Sequence, residues 1–141
     1  MRRIIYLSSS VKYLNGEEIK SLLSQCREKN IKTDITGLLL YSDGDFLQVI
    51  EGPKLAMLNL FESIKKDPRH HGIITIENTE INKRHFPKWN MGFYTSDCEE
   101  LRTIKDYENI NRETLSNISV KMALAFVDSF IKSHQSKFVF V

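Results

Sequence analysis

The chain has 141 residues, of which 41% are hydrophobic and 27% charged, and its formal net charge is +2. This length suits one domain with a real core, and the composition is that of a globular protein rather than a disordered one. The small net charge predicts no polyanionic partner, and no stretch reaches the roughly 18 to 20 apolar residues of a membrane span. Cys26 and Cys98 lie in no CxxC pair or recognisable metal spacing and give no disulfide framework, so we expect a reducing, cytoplasmic setting and no metal.

The first two predicted elements are a strand and a helix. The β-branched and aromatic run RRIIYLSS predicts a strand that its serines bring to an end. In NGEEIKSLLSQCREKN, apolar residues recur at helical spacing from Ile19 to Cys26, and early glutamates suit a helix N-terminus. Asn30 stands where a helix stop belongs, so this helix is predicted to end there.

A hairpin, a second helix and two further strands follow. ITGLLLYSDGDFLQVIEG predicts two strands around Asp43-Gly44, a dipeptide that can adopt the positive φ angles of a tight turn. After Pro53, KLAMLNLFESIKKD predicts a helix, because an apolar residue recurs at every third position, at Leu55, Leu58, Phe61 and Ile64. GIITIENTEIN predicts a fourth strand, and KWNMGFY after Pro87 predicts a shorter fifth one.

The order β-α-β-β-α-β-β is that of an α+β ferredoxin-like fold with an added strand. Strands one and three are then neighbours, and right-handed crossovers place the first two helices on one sheet face. Both faces of these strands are apolar, so the other face needs a cover as well. ETLSNISVKMALAFVDSFIKSH predicts a C-terminal helix for that purpose. We therefore expect a core over residues 1–95 and, over 96–141, a helical cap of the same domain that ends in the apolar KFVFV.

Gln48 is a polar residue in the middle of an otherwise apolar strand. In the predicted topology it lies beside Tyr6 of the first strand. A buried amide and a buried phenol each need a partner, since an unpaired one costs about 1 to 3 kcal/mol. From the residues alone, a purely structural hydrogen bond between Tyr6 and Gln48 and a functional site remain equally open.

Several separated motifs occur together in the chain: Tyr6, Asn30, ITGLLLY, FLQVIEG, DPRHH and FPKWNM. In this order they closely resemble the BLUF family, which comprises blue-light sensors that bind a flavin, usually FAD, without a covalent bond. The likeness covers about residues 2 to 95, and the joint occurrence of the motifs is specific although each motif alone is weak.

The resemblance implies a flavin between the first two helices. It places Gln48 between the Tyr6 phenol and the N5 and C4 carbonyl of the flavin, and Asn30 at the pyrimidine end of the ring. Leu22 and Ile64 would cover the two ring faces.

The resemblance extends to residues further from that centre. It implies Arg69 and His70 near the C2 side of the ring, and Cys26 facing the cofactor where other members often have a small polar residue. Trp89 and Met91 match a pair whose environment changes around the switch glutamine. Structural interpretations stand beside these roles: Asn30 as a helix stop, Trp89 as a hydrophobic anchor and RHH as a solvated turn.

The implied function is that of a blue-light photoreceptor rather than an enzyme. Tyr6 would pass charge to the excited flavin, Gln48 would relay a proton and rearrange, and a red-shifted signalling state would persist until thermal return. The signal would leave through the sheet to the C-terminal helix and a separate partner protein. With no output domain expected, the chain resembles the short, homo-oligomeric members. FAD is the expected cofactor, with FMN and riboflavin as alternatives.

Three other functions remain open at this stage. A degenerate, flavin-free BLUF-like module could act only in protein interaction. A small ferredoxin-like hydrolase of the acylphosphatase kind would need an arginine and a glycine-rich phosphate cradle after strand one, where SSSVKYLNG offers none. An RNA-binding module would expose aromatic residues on the open sheet face, where Ile5, Leu7, Leu47 and Val49 stand instead.

Overall fold

A computed structural model of the chain describes residues 1–42, 44–87 and 90–95. Its elements are β1 (Arg2–Ser10), α1 (Gly16–Thr33), β2 (Thr36–Ser42), β3 (Asp45–Gly52), α2 (Lys54–Lys66), β4 (His70–Glu80) and β5 (Gly92–Thr95). This order confirms the prediction over the described part. Trp89, Cys98, the predicted C-terminal helix and the KFVFV end lie outside the described residues.

The strands form one five-stranded sheet in the order β4-β1-β3-β2-β5. Neighbouring strands are antiparallel except for β2 and β5, which run parallel. This is the sheet of a ferredoxin-like fold with an added edge strand, as predicted. In the register of β1 and β3, Tyr6 stands directly opposite Gln48.

Both sheet faces are buried, as the apolar alternation of the strands predicts. The face toward α1 and α2 carries Tyr6 and Gln48 and a cluster of apolar side chains that includes Ile4, Leu39 and Ile50. The second face carries a row of fully buried aliphatic residues: Ile5, Leu38, Leu40, Leu47 and Val49. The helix predicted to cover this second face falls in the part of the chain that the structure does not describe.

Helix α1 begins with a capping box and ends later than predicted. The Asn15 side chain accepts a hydrogen bond from the Glu18 backbone N–H, and the Glu18 carboxylate accepts one from the Asn15 backbone N–H. The helix continues through Asn30 to Thr33, and Asp34 ends it in the left-handed conformation with a φ of 57°. The interpretation of Asn30 as a helix stop is therefore wrong, because its amide is used for a tertiary contact.

Helix α2 follows Pro53 as predicted, but its buried face differs from the predicted stripe. Met57 and Phe61 are the buried residues of the helix, whereas Leu55 is 71% exposed and Leu58 is 37% exposed. A three-residue spacing drifts around a helix of 3.6 residues per turn, so only part of such a stripe can face the sheet. No helix in the described ranges is long and apolar enough to cross a bilayer.

Strand β5 is shorter than KWNMGFY predicted, since it begins at Gly92 and Met91 precedes it. The reason lies in α1, whose side chains occupy the backbone carbonyls of the preceding residues. Asn30 Nδ2 donates to the Asn90 carbonyl at 2.6 Å, and Arg27 Nε and Nη2 donate to the Met91 carbonyl at 3.1 and 3.0 Å. These carbonyls are bonded to α1 side chains, and the ladder with β2 starts only afterwards.

Two glycines of the β2–β3 hairpin meet local requirements of the backbone. A Cβ on Gly37 would lie 1.9 Å from the Val49 carbonyl oxygen, so only glycine allows this approach of the strands. Gly44 has a φ of 80°, as the tight turn predicts. The hairpin thus fixes the register of β2 against β3, in which Leu39 stands opposite Gln48.

Candidate functional site

A cavity of about 480 Å³ opens between α1, α2 and the helix-facing side of the sheet. It is lined by every residue that the resemblance assigns to the cofactor: Tyr6, Leu22, Cys26, Asn30, Gln48, Ile64, Arg69 and His70. These residues come from five helices and strands and one loop, so the fold brings together positions that are distant in sequence. Trp89 lies outside the described residues.

The inner wall of the cavity holds a buried phenol and a buried amide, and the amide contacts a thioether. The Tyr6 hydroxyl donates a hydrogen bond to Gln48 Oε1. Gln48 Nε2 donates to Met91 Sδ at 3.4 Å. Tyr6 and Gln48 are each 5% exposed and Met91 is fully buried. A thioether is a weak acceptor, so the amide has one strong partner, one weak partner and one N–H left over.

The surroundings of Tyr6 keep its phenol neutral. Burial raises the pKa of Tyr6 well above its ordinary value, and the nearby Cys26 and Asp67 act in the same direction. The Phe61 ring packs against it with a centroid distance of 5.8 Å. Tyr6 therefore holds its proton, and that proton is shared with Gln48.

Asn30, on α1, also lines the cavity. It is 2% exposed, and Nδ2 is its donor to Asn90. An amide also has an acceptor oxygen, so Asn30 can present Oδ1 to a donor in the cavity while its nitrogen stays bonded. Arg27, on the same helix, holds the neighbouring Met91 carbonyl. Sequence reasoning missed Arg27, because its partner is a backbone atom far away in the chain.

Arg69 is restrained by Asp67. The guanidinium donates to both carboxylate oxygens of Asp67, with Nη2 at 2.5 Å from Oδ2, and Nη1 donates to Gln25 Oε1 at 3.1 Å. These hydrogen bonds hold the pKa of Asp67 below its usual value and raise that of Arg69. The DPR motif thus fixes a cation on the cavity wall, although both side chains are partly exposed.

His70 joins three elements beside the cavity. Its Nε2 lies 2.6 Å from the Ile64 carbonyl oxygen and its Nδ1 lies 2.8 Å from Ser8 Oγ. Since a carbonyl can only accept, Nε2 carries the proton. His70 is the first residue of β4, so RHH is not simply a solvated turn. Its bond to the last turn of α2 helps to fix Ile64, which lines the cavity.

Cys26 presents a protonated thiol to the cavity. Burial raises the pKa of this thiol above its ordinary value, although Arg69 and Lys29 oppose the shift. A thiol in that state is a small, mainly apolar side chain and a poor nucleophile.

The cavity wall includes further residues that sequence reasoning did not single out. Leu14, Leu39, Phe46 and Leu60 extend its apolar surface, and Lys29 and Lys66 add cations. The apolar residues carried only a core signal in the sequence. Nothing in the spacing of the lysines separates them from other surface charges.

A flavin ring fits the chemistry of this cavity. The ring system is flat with apolar faces, which suits the aliphatic side chains that α1 and α2 contribute at Leu22 and Ile64. Its polar edge needs donors and acceptors, which Gln48 and Asn30 supply at the cavity wall. The volume lies within the range of small-molecule and cofactor sites.

The ferredoxin-like sheet, the cavity between its helices and the buried phenol–amide pair together define a flavin-binding sensor module. The chain belongs to the BLUF family, described as sensors of blue light using FAD, whose profile matches residues 1–92. Residues 1–92 are therefore the part of the chain that senses blue light with FAD. This match favours the sensor over the hydrolase and RNA-binding alternatives.

Similar proteins are light-regulated. The β subunit of photoactivated adenylate cyclase from Euglena longa is 34% identical over 99 residues, which are 70% of this chain and 11% of that subunit. The blue light- and temperature-regulated antirepressor BluF of Escherichia coli is 30% identical over 78 residues, 55% of this chain and 19% of that protein. The chain thus spans only a small part of either relative.

A solved structure of nearly the same length is also similar. The dark-state structure of BlrB, a BLUF protein, superimposes with a TM-score of 0.68 at 28% identity, covering 94% of this chain and 96% of BlrB. This likeness confirms the α+β ferredoxin-like fold. In the cyclase subunit, the match is confined to a sensor-sized segment, so the cyclase reaction is not a property carried by this match.

Proposed function

We propose that Tyr6 and Gln48 are the photoactive pair of this sensor and that Met91 reads the state of Gln48. The observation that carries the proposal is the hydrogen bond from the buried Tyr6 hydroxyl to Gln48 Oε1 on the cavity wall. Gln48 lines the cavity and is also part of the sheet. A change in its hydrogen bonds therefore affects both the cofactor site and the sheet.

FAD, when bound, would supply a strong oxidant on excitation by blue light. Tyr6 is the oxidisable group at the cavity wall: it gives up one electron and its phenolic proton, and the proton leaves along the bond to Gln48. Both return to Tyr6 when the charge recombines, so there is no net oxidation. What remains is a Gln48 amide with a rearranged set of hydrogen bonds.

Gln48 suits this role because an amide has a donor end and an acceptor end. In the structure Oε1 accepts from Tyr6 and Nε2 donates to Met91. Exchange of the two ends presents a donor where there was an acceptor, which changes the hydrogen bond available to the flavin carbonyl. An altered hydrogen bond to that carbonyl accounts for a red-shifted signalling state.

The remaining cavity residues hold the cofactor. Leu22 and Ile64 would cover the two ring faces, and Asn30 would accept a hydrogen bond from the pyrimidine end through Oδ1. Arg69 and His70 lie toward the C2 side, and Cys26 is an apolar filler on α1. Their places on the cavity wall support these roles. The family description supports FAD over FMN and riboflavin.

The signal leaves through the sheet toward residues 96–141, which form a helical cap of the same domain over the sensor core of residues 1–95. The aliphatic row on the second sheet face supports this arrangement, since such a surface needs a cover. The cap then acts on a separate partner protein, with the chain as a homo-oligomer in the cytoplasm. Hydrogen exchange of residues 113 to 134 in dark and light tests this route, and identical protection in both states would argue against it.

An absorption spectrum of the purified protein before and after blue light tests the proposed function. We expect a yellow protein with a reversible red shift. A colourless protein would favour the flavin-free interaction module instead.

Two tyrosine variants test the photoactive pair. Tyr6→Phe should stay yellow and lose the shift, because the electron and proton donor is gone. Tyr41→Phe is the matched control, since it also removes a buried hydroxyl, one that accepts from the Leu14 N–H, and should keep the shift. An ordinary photocycle in Tyr6→Phe would exclude Tyr6 as the donor.

A further inference from the structure

Ser8 is a buried serine on the same face of β1 as Tyr6, two positions further along the strand. It is only 4% exposed, and side chains two positions apart on a strand point to the same side of the sheet. Ser8 Oγ lies 2.8 Å from Nδ1 of His70. Because Nε2 of that ring carries the proton, Nδ1 accepts and the Ser8 hydroxyl donates. The serine therefore has a defined partner among the residues of the cavity wall.

A bulge in β4 brings His70 to this position. The ladder between β1 and β4 changes register around Ser8, so that this one residue faces two residues of β4. One of the two is Gly72, whose φ of 66° lies in the region that favours glycine. A bulge bends its strand and re-aims the neighbouring side chains, and bulges are frequent beside functional sites. The irregularity of β4 thus serves the contact between His70 and Ser8.

His70 connects Ser8 to the last turn of α2. Its Nε2 donates to the Ile64 carbonyl oxygen at 2.6 Å, and that oxygen also accepts from the Asp67 N–H at 3.2 Å. The last carbonyls of a helix have no partner within the helix, so these bonds fix the end of α2. The His70 ring also lies 6.2 Å from the Tyr6 ring, measured between centroids. A chain of hydrogen bonds therefore links the strand that carries Tyr6 to a helix that forms part of the cavity wall.

We propose that Ser8 is a positioning residue of the photoreaction: through His70 it holds the end of α2, and with it Ile64, in place beside Tyr6. The inference rests on the proposed photoactive pair, since Ser8 acts only through the residues around the cofactor site. A displacement of about 1 Å in such a site can change a rate by about a hundred-fold. The loss of one hydrogen bond of ordinary strength raises the population of a loosened helix end by about five-fold.

Long-range ¹⁵N spectra of the histidines in the flavin-loaded full chain test the bridge without using light. We expect the Nε2–H tautomer of His70 in the wild type. In Ser8→Ala the Nδ1 resonance should shift, because that nitrogen loses its donor, and Ser8→Thr should restore it. Identical His70 spectra in the wild type and Ser8→Ala would overturn the bridge. This result is separate from the photoactive pair, which fails instead if Tyr6→Phe keeps an ordinary photocycle.

The rate of thermal return after blue light tests the consequence of the bridge. Gln48 must rearrange again during the return, so a loosened cavity wall should make the return about five-fold faster in Ser8→Ala. Ser8→Thr keeps the hydroxyl and should return at the wild-type rate. If it behaves like Ser8→Ala, the effect comes from packing rather than from the hydroxyl, and the positioning role is refuted.

Ser9→Ala is the matched control for this measurement. It removes the hydroxyl of the next residue on the same strand, which donates to Asp45 Oδ1 at 3.1 Å and lies on the other face. The variant should keep the wild-type rate of return and the wild-type His70 spectrum. An unchanged rate in Ser8→Ala, or an equal acceleration in Ser9→Ala, would contradict the assignment to Ser8.

Discussion

The two faces of strand β3 carry two buried polar centres of opposite character. On the cavity side, Gln48 has one strong partner in Tyr6 and one weak partner in Met91. On the other side, the fully buried carboxylate of Glu51 accepts from Arg3 Nε at 3.0 Å and from the backbone N–H groups of His85 and Phe86 at 2.8 to 3.0 Å. One centre is neutral and incompletely satisfied, and the other is charged and surrounded by donors.

The difference shows what makes a buried polar group a switch or an anchor. A carboxylate only accepts, so Glu51 has one way to satisfy its donors, and it ties the connection between β4 and β5 to the sheet. An amide has interchangeable ends, so Gln48 has two ways to satisfy its neighbours. Glu51 also holds the segment that leads to Met91. Met91 is therefore a fixed neighbour against which Gln48 can change its hydrogen bonds.

The largest expected effect comes from breaking the anchor. Glu51→Leu should lower the free energy of unfolding by about 3 to 5 kcal/mol, because Arg3 is only 4% exposed and would lose its closest carboxylate. Denaturant unfolding measures this loss. Glu77→Leu is the control, since Glu77 lies 3.5 Å from Arg3 and is more exposed, so its loss should be smaller. Equal losses would contradict the role of Glu51 as the main anchor.

The next effect comes from breaking the switch. Gln48→Leu should abolish the light-induced red shift while flavin stays bound, and should lower the free energy of unfolding by about 1 to 3 kcal/mol, because the Tyr6 hydroxyl loses its acceptor. Spectra and denaturant unfolding measure the two quantities. Gln25→Leu makes the same change elsewhere on the cavity wall and should keep the shift. A normal shift in Gln48→Leu would eliminate the proposed mechanism.

A smaller effect is expected at the weak partner of the switch. Met91→Leu nearly preserves volume, so it should change the free energy of unfolding by less than about 1.5 kcal/mol. Because an N–H···S contact is weak, the red shift should still form and the rate of thermal return should change by less than about ten-fold. Time-resolved absorption measures both. A complete loss of the shift would make the sulfur an obligatory partner rather than a reader of Gln48.

The smallest effect concerns the Asp67–Arg69 pair. Hydrogen bonds from Arg69 hold the pKa of Asp67 below its unfolded value, so the pair stabilises the fold above about pH 4 and loses this contribution as the pH falls through the folded pKa. The contribution is small because the side chains are 23% and 47% exposed. The free energy of unfolding, measured between about pH 2 and pH 7, should fall less steeply below pH 4 in Asp67→Asn than in the wild type. Parallel curves would show that the pair contributes nothing.

The neutral centre could be predicted from the sequence, and the charged one could not. Strand periodicity and a split βαβ topology are enough to set Tyr6 beside Gln48, because both depend on local pattern and on handedness. Arg3 and Glu51 also face each other across β1 and β3, yet charged residues in a strand ordinarily indicate a solvated face. Their burial depends on the backbone N–H groups of a distant loop. A local sequence pattern does not reveal such partners.

The same reason explains the errors at element ends. Asn30 carries the signature of a helix stop, but its partner is the Asn90 carbonyl, so the amide serves a contact between distant segments rather than the helix end. The run KWNMGFY predicts Met91 within β5, whereas the Met91 carbonyl accepts hydrogen bonds from Arg27 and the strand begins at Gly92. Local propensity describes strands and helices well, and it fails where a side chain bonds a remote backbone atom.

Gln48 and Glu51 are three residues apart on β3 and so lie on opposite faces, which makes the register of β3 against β1 critical. Successive side chains alternate between faces, so a slip of β3 by a single residue against β1 would exchange the two sets. Glu51 would then turn its negative charge toward the cavity, and Gln48 would enter the aliphatic face without a phenol beside it. Such a slip would therefore do more than misplace one contact: it would exchange the side chains that β3 turns to the cavity and to the aliphatic face.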